Sequence, residues 1–311
     1  MIQQPSALTT SDKKIRILIA GYPGIGKSTT ALSAPSPLHI DVDRGVDRVP
    51  APYRKPFIQP ATYNELLSDL VPENLGDFET LVFDTGGQLI KLMSAWAIKK
   101  DNKYGQKDGS LSLKGYGAIG REFERLMNYC YYELNKHTVV VFHAKEEKEG
   151  DNTRLRLLVE GQTKDNVWQP MDLGGFMEMS GNKRTLGLSN CERYYAKGTH
   201  GINGLLTIPE LSSGTPNDFL TKLFQLVNDN IAAEAMDVEA DKEAYYQALA
   251  AAQDIIDAID TPEAATAALQ QLKTISHALT SQKESQVMFT TKTQRLGYKY
   301  DKGQGAFLCV S

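Results

Sequence analysis

A glycine-rich segment of eight residues, Gly21 to Ser28, places the strongest constraint on how this chain can fold. It reads GYPGIGKS and stands between a short aliphatic run, Ile15 to Ala20, and a stretch suited to a helix. Glycines let such a loop turn its backbone N–H groups inward, and the N-terminus of the following helix adds its positive end. A strand, an anion-binding loop and a helix in this order predict a phosphate-binding loop in an α/β fold.

The loop predicts a nucleotide site in which most contacts come from the backbone. The ammonium of Lys27 would reach the β- and γ-phosphates, and the hydroxyl of Ser28 would be a ligand of Mg²⁺. ATP and Mg²⁺ are therefore the expected cofactors, although the spacing itself says little about the base. The residues expected to contact the nucleotide are Gly21, Tyr22, Pro23, Gly24, Ile25, Gly26, Lys27, Ser28 and Thr29.

Two acidic positions follow further apolar runs that predict strands, Leu38 to Val42 and Thr80 to Asp84. Asp84 ends its run, and we predict that it holds the water shell of Mg²⁺ opposite Ser28. Alternation places Asp41 and Asp43 on one side of the other strand, at the sheet edge where a nucleotide sits. One of the two could polarise the attacking water, or either could form a turn.

A histidine follows the next predicted strand, Thr138 to Phe142. If this strand neighbours the strand of Asp84, the imidazole of His143 lies beside the phosphates and could sense the γ-phosphate. The alternative is a histidine whose hydrogen bonds are made to backbone at the end of a strand.

Periodicity and turn residues predict the remaining elements. Helices are expected over Ile119 to Leu134, over Tyr63 to Leu70 with a Thr62 cap, and over 219–279 with a start at Thr261. Antiparallel hairpins are expected around Gly181-Asn182 and around the glycine-rich turn Asp301 to Gly305.

A cluster of lysines and tyrosines precedes the helix that contains Ile119. Lysines for phosphates and aromatic rings for bases suit single-stranded nucleic acid, so we predict a mobile basic loop that binds DNA, with an ordinary solvated loop as the alternative. The candidate residues are Lys99, Lys100, Lys103, Tyr104, Lys107, Lys114 and Tyr116. A second stretch, Lys145 to Pro170, mixes basic residues and Trp168 with acids and gives a weaker indication.

In this order the parts resemble the RecA-like ATPases, and most closely the short phage-type nucleotide-binding proteins associated with single-strand annealing and recombination. The resemblance covers about Lys14 to Glu210. It implies that Asp43 is the catalytic base, one methylene shorter than the usual glutamate, and that His143 is the γ-phosphate sensor. It also implies that Lys197 is a basic finger acting in trans on the neighbouring subunit of a ring or filament, although an ordinary surface lysine would look the same.

The expected fold is α/β, a RecA-like P-loop core with a mainly parallel twisted sheet flanked by helices, an added antiparallel hairpin and a C-terminal helical extension. We predict a core over 1–227 with a flexible stretch at 1–13, a linker at 228–241, and helices ending in a small hairpin over 242–311. The acidic C-terminal helices are a possible contact for a protein partner.

The net charge of −4 and the pI near 5.8 exclude a global positive field, so any contact with DNA must be local. Three scattered cysteines fit a reducing compartment. Neither a signal peptide nor a spanning helix is expected, which predicts a cytoplasmic protein that makes no membrane contact.

Three functions fit these features. The first is an oligomeric, Mg²⁺-dependent ATPase, stimulated by single-stranded DNA, that acts in phage or bacterial recombination, annealing or replication. The second is a small-molecule or nucleotide kinase that uses the same loop. The third is a nucleotide-gated switch or loader with little turnover, which the short acid at Asp43 favours.

Overall fold

The computed structural model describes residues 7–8, 12–150, 152–159, 163–211 and 215–309. The chain forms two compact units, of which the first is Asp12–Asn230 and the second includes residues 231–309. The first unit contains the glycine-rich loop, and the second contains the C-terminal helices. Among the described residues, no helix is long and apolar enough to cross a membrane.

Nine strands of the described chain form the sheet of the first unit, in the order β3-β2-β4-β5-β1-β7-β8-β9, with β6 paired to β5. The six strands from β3 to β7 in this order run parallel, and β8, β9 and β6 pair with antiparallel neighbours. Their bounds are β1 Arg16–Gly21, β2 Pro37–Asp41, β3 Phe57–Ile58, β4 Thr80–Asp84, β5 His137–Glu149, β6 Asn152–Leu157, β7 Leu173–Ser180, β8 Lys183–Gly187 and β9 Leu205–Ile208.

The α/β fold and its mainly parallel sheet are thus confirmed. All residues of β4 and the first six of β5 are buried, as expected for aliphatic strands covered on both faces. Beyond Phe142, where the predicted strand ended, β5 continues to Glu149 because this part pairs with β6.

Helices of the first unit cover the sheet: α1 Lys27–Ala31, α2 Tyr63–Asp69, α3 Gly86–Lys100, α4 Leu113–Asn128, the short α5 Thr163–Asn166 and the start of α6 Phe219–Asp257. The predicted Thr62 cap is present, since its hydroxyl accepts from the Glu65 N–H at 3.2 Å. Helix α4 buries Ile119, Phe123 and Leu126 as its periodicity predicted, and a π-helical turn extends it to Glu133.

The second unit contains the end of α6, α7 Pro262–Leu272, α8 Ser281–Arg295 and the hairpin of β10 Tyr298–Asp301 and β11 Ala306–Cys309. Its own core includes Ile256, Ile259, Phe289 and Phe307. The predicted Thr261 cap accepts from the Ala264 N–H at 3.1 Å.

The predicted linker and the predicted flexible N-terminal stretch can be compared with the structure only in part. The linker expected at 228–241 lies inside α6, because this stretch has neither glycine nor proline to interrupt a helix. The flexible stretch expected at 1–13 falls mostly outside the described residues. Within it, Lys13 is held in place, since its ammonium lies 2.8 Å from Asp172 and its N–H donates to Asn228 at 2.8 Å.

Candidate active site

The glycine-rich loop connects the carboxyl end of β1 to the start of α1 at the centre of the sheet. Gly24 and Gly26 have φ angles of 81° and 94°, a left-handed conformation that residues with a Cβ rarely adopt. Gly26 also precedes the first turn of α1, so the N–H groups of that turn face the loop. The loop therefore has the backbone of an anion-binding site.

Lys27 is the cation of this site and is almost fully buried, with 5% of its surface exposed. Its Nζ donates to the carbonyl oxygen of Tyr22 at 2.8 Å and lies 3.5 Å from Nδ1 of His143. Burial lowers the pKa of Lys27 to about 8, against the opposing attraction of Asp84 and Asp43. The lysine is thus held among groups of both signs at the point where phosphates would bind.

Asp84 ends β4 as predicted and is 5% exposed. The buried His39, on the neighbouring β2, brings its Nε2 to 3.4 Å from Oδ2 of Asp84, within ion-pair distance but without hydrogen-bond geometry. In the described chain no three His, Cys, Asp or Glu side chains cluster to hold a metal by themselves. One carboxylate and the Ser28 hydroxyl are instead the donor set that suits Mg²⁺ bound mainly through nucleotide phosphates, so the residues fit the ion.

The structure separates the two acids that alternation had placed together. Asp41 is buried and accepts hydrogen bonds from the Gly45 N–H at 2.7 Å, the Val46 N–H at 3.0 Å and Gln59 Nε2 at 2.7 Å. Burial alone would raise the pKa of Asp41, but these hydrogen bonds outweigh it and lower the pKa. Asp41 is the turn-forming acid, since its oxygens are already used.

Asp43 faces the site. Burial and the nearby charge of Asp84 raise its pKa, and Arg48 partly offsets this from 3.0 Å. An electrostatic effect of Asp84 on Asp43, and of both on Lys27, means that the three side chains share one region. The role of Asp43 as the acid that orients water stays a prediction.

His143 lies on β5, which pairs with β4 on one side and with β1 on the other, so the neighbouring strands that we expected are present. Its register partner on β1 is Gly21, the first residue of the loop. Burial and then the charge of Lys27 lower the pKa of His143, although Asp43 and Asp84 act in the opposite direction. A neutral imidazole whose Nδ1 accepts from Lys27 follows from this arrangement.

The predicted basic loop lies between α3 and α4 and has hydrogen bonds of its own, and its mobility and DNA binding stay predictions. Helix α3 continues through Lys100, α4 begins at Leu113, and between them the Ser112 N–H donates to the Tyr104 carbonyl oxygen at 2.9 Å. Gly115 permits this close approach, because a Cβ there would lie 2.3 Å from the Tyr104 oxygen. The five lysines remain exposed: Lys99, Lys100, Lys103, Lys107 and Lys114.

Lys197 does not lie at the glycine-rich loop of its own chain. Its Nζ donates to the Met171 carbonyl oxygen, and it lines a cavity of about 340 Å³ with Trp168 and Tyr195. Action in trans stays a prediction.

Three residues near the nucleotide site gave no signal in the sequence. His39 contacts Asp84, Arg48 contacts Asp43, and Arg184 of β8 lies beside Gly26, with its Nε 3.5 Å from the position of an added Cβ. Each comes to the site through strand pairing or a loop, without a motif of its own. The register of the folded sheet reveals His39 and Arg184, and the turn after β2 brings in Arg48.

A comparison with protein families identifies the family of the chain. No curated protein matches the chain. Among solved structures, a KaiC-like protein from the hyperthermophilic archaeon Pyrococcus horikoshii OT3 is similar at 12% identity and a TM-score of 0.34, over 63% of this chain and 89% of that one. The family model described as "AAA domain" matches residues 13–200, which is more than half of the chain and includes every residue of the site described above. The chain therefore belongs to the AAA domain family, and its first unit is a P-loop ATPase domain.

Proposed function

We propose that the protein is a Mg²⁺-dependent ATPase that acts on DNA in the recombination, single-strand annealing or replication of phage or bacterial DNA. The observation that carries the ATPase part is the gathering of Lys27, Asp43, Asp84 and His143 around the glycine-rich loop. A buried cation, two acids and a neutral imidazole in one region are the groups that phosphoryl transfer to water requires.

The proposed reaction is in-line attack of water on the γ-phosphate, in which the water oxygen bonds to the γ-phosphorus while the bond of that phosphorus to the β,γ-bridging oxygen breaks and ADP leaves. Asp43 accepts a hydrogen bond from the water and orients it, and Lys27 neutralises charge on the β- and γ-phosphates. Mg²⁺, held by Ser28 and Asp84 through its water shell, would supply further charge neutralisation between the phosphates. Asp43, with a raised pKa, accepts a proton more readily than an ordinary aspartate.

A cavity of about 420 Å³ supports the DNA part of the proposal. We call the lysine-rich stretch from Lys99 to Tyr116 the basic connection. The cavity is lined on one side by His143, which contacts Lys27, and on the other by Leu111 and Tyr116 of the basic connection. Lys145 and Lys91 also line it, and both are exposed. A strand of DNA bound along the lysines could therefore place a base next to the side chain that faces the γ-phosphate, which would couple DNA binding to hydrolysis.

The test is ATP hydrolysis by the purified protein with Mg²⁺, with and without single-stranded DNA. We expect a several-fold stimulation by DNA, lost in Lys27→Ala. Double-stranded DNA and RNA of the same length are tested in the same assay for comparison. ATP hydrolysis that does not respond to any nucleic acid would contradict the DNA part and leave the ATPase part in place.

A switch with little turnover is the second candidate, and the contact between Arg48 and Asp43 favours it. This ion pair, at 3.0 Å, occupies the carboxylate that would orient water. If it limits hydrolysis, Arg48→Ala raises the turnover number in the absence of DNA. Unchanged or lower turnover in this variant would exclude the ion pair as a brake and favour the DNA-stimulated ATPase.

A further inference from the structure

A cavity of about 360 Å³ on the outer side of the glycine-rich loop carries a further inference. It is lined by Gly24 and Gly26 of the loop, by Thr29 and Thr30 of α1, and by Arg184 of β8. Its volume lies within the range of small-molecule sites. The cavity is thus continuous with the place where the phosphates would bind.

The lining residues indicate which end of a nucleotide the cavity would hold. Asp43, Asp84 and His143, which define the γ-phosphate end, do not line it, whereas Thr29 and Thr30 come one and two residues after Ser28. The walls also include apolar and aromatic groups, among them Phe219 and Ile208. Such walls suit a base and a ribose better than a phosphate.

Arg184 is the polar group of this cavity that has no other role. Its Nε lies 3.5 Å from the position of a Cβ on Gly26, and its side chain is exposed. Within the described part of the chain, no hydrogen bond or ion pair engages its guanidinium. The second arginine at the cavity, Arg48, is paired with Asp43, and Asp218 is paired with Lys222 at 2.9 Å.

We propose that this cavity binds the nucleoside end of the nucleotide and that Arg184 is a ligand of the base, supplied in cis by the antiparallel hairpin of β7 and β8. A planar guanidinium can lie flat on an aromatic base and stack on it, whereas a lysine ammonium contacts a ring only as a point charge. Strand β8 holds the arginine through backbone pairing with Met179 on β7 and Ile208 on β9, so its position is fixed from both sides. The inference rests on nucleotide binding at the loop and is independent of DNA.

Calorimetric binding of ADP, ATP and inorganic tripolyphosphate to the full chain tests it. Arg184→Ala should weaken the binding of ADP and of ATP to a similar extent, by about tenfold, and leave the affinity for tripolyphosphate unchanged. Arg184→Lys should not restore the affinity, because an ammonium cannot stack. Lys183→Ala is the matched control: it removes one positive charge from the adjacent residue, whose side chain points to the other face of β8.

Three results would overturn the inference. They are an unchanged ADP affinity in Arg184→Ala, an equal loss for tripolyphosphate, and an equal loss in Lys183→Ala. The second would assign Arg184 to the phosphates, and the third would reduce its role to general charge. Failure of the unmodified protein to bind any of the three ligands would overturn the proposed function as well, so the two failures are distinguishable.

Discussion

The glycine-rich loop with its surrounding charges and the basic connection between α3 and α4 both present cations to a polyanion, but they hold them differently. Lys27 and Asp84 are each 5% exposed, and the charges there shift the pKa values of their neighbours. The side chain of Lys103 is 60% exposed, pairs with Asp101 two residues earlier and lies over the ring of Tyr104. Buried charges act as one coupled unit, whereas exposed lysines are screened and act nearly independently.

The largest expected effect is at the coupled site. Lys27→Ala removes the cation that faces the phosphates, and we expect the turnover number to fall by about 10²- to 10³-fold. Steady-state hydrolysis with saturating ATP measures this. Lys148→Ala, an exposed lysine on the outer part of β5, is the control and should hydrolyse ATP at the normal rate.

The second prediction separates the two acids after β2. Asp43→Asn should lower turnover by about 10²-fold with little effect on stability, because it removes the group that orients water. Asp41→Asn should instead lower the free energy of unfolding by about 1–3 kcal/mol, since an amide NH₂ would face the N–H donors that the carboxylate accepts from. Urea unfolding and turnover, measured on both variants, give opposite patterns if the roles are correct. Equal changes of turnover and of unfolding free energy in the two variants would contradict the separate roles of Asp41 and Asp43.

The third prediction uses the pKa of Lys27, which burial lowers to about 8. The free protein loses this proton above pH 8, whereas bound phosphates favour the charged ammonium, so binding must then take up a proton. ATP affinity should therefore fall about 16-fold between pH 8 and 9.5, with a slope that approaches about tenfold per pH unit well above pH 8. Lys27→Arg, which stays charged, should flatten this profile. A flat profile in the unmodified protein would mean that Lys27 is an ordinary lysine.

The smallest effect is expected at the basic connection. The double variant Lys107→Gln/Lys114→Gln should weaken the binding of single-stranded DNA about tenfold at 0.1 M salt. It should also reduce the steepness of the plot of log K against log salt concentration by about 1.4. Hydrolysis without DNA should not change. Lys299→Gln, an exposed lysine of the second unit, is the control. If the slope stays the same, these lysines do not contact phosphates.

The same contrast explains what could be predicted from the sequence. The loop GYPGIGKS, the buried strands and the Asp84 and His143 positions follow from local patterns, because a short aliphatic run in a parallel sheet ends at one edge. The different roles of Asp41 and Asp43 could not be predicted, since they depend on Gln59, which returns to Asp41 from 18 residues away. The approach of Arg184 to Gly26 likewise depends on the pairing of β8 with β7 and of β7 with β1.

For the basic connection, the sequence identifies the residues but not their local structure. Its lysines were recognised by composition, but their number says nothing of local structure, and the helices α3 and α4 take in Lys99, Lys100 and Lys114. Capping by Ser112, whose Oγ accepts from the Gly115 N–H at 3.1 Å, fixes where α4 begins. Composition therefore predicts the lysine cluster but not the extent of α3 and α4 into it.

The central claim is that His143 links the two regions through the cavity between them. The most direct test is His143→Ala, for which both the affinity for single-stranded DNA and the stimulation of ATP hydrolysis by that DNA are measured. The account predicts unchanged DNA affinity together with a loss of stimulation, since the side chain that contacts Lys27 would be missing. Stimulation equal to that of the unmodified protein would contradict it.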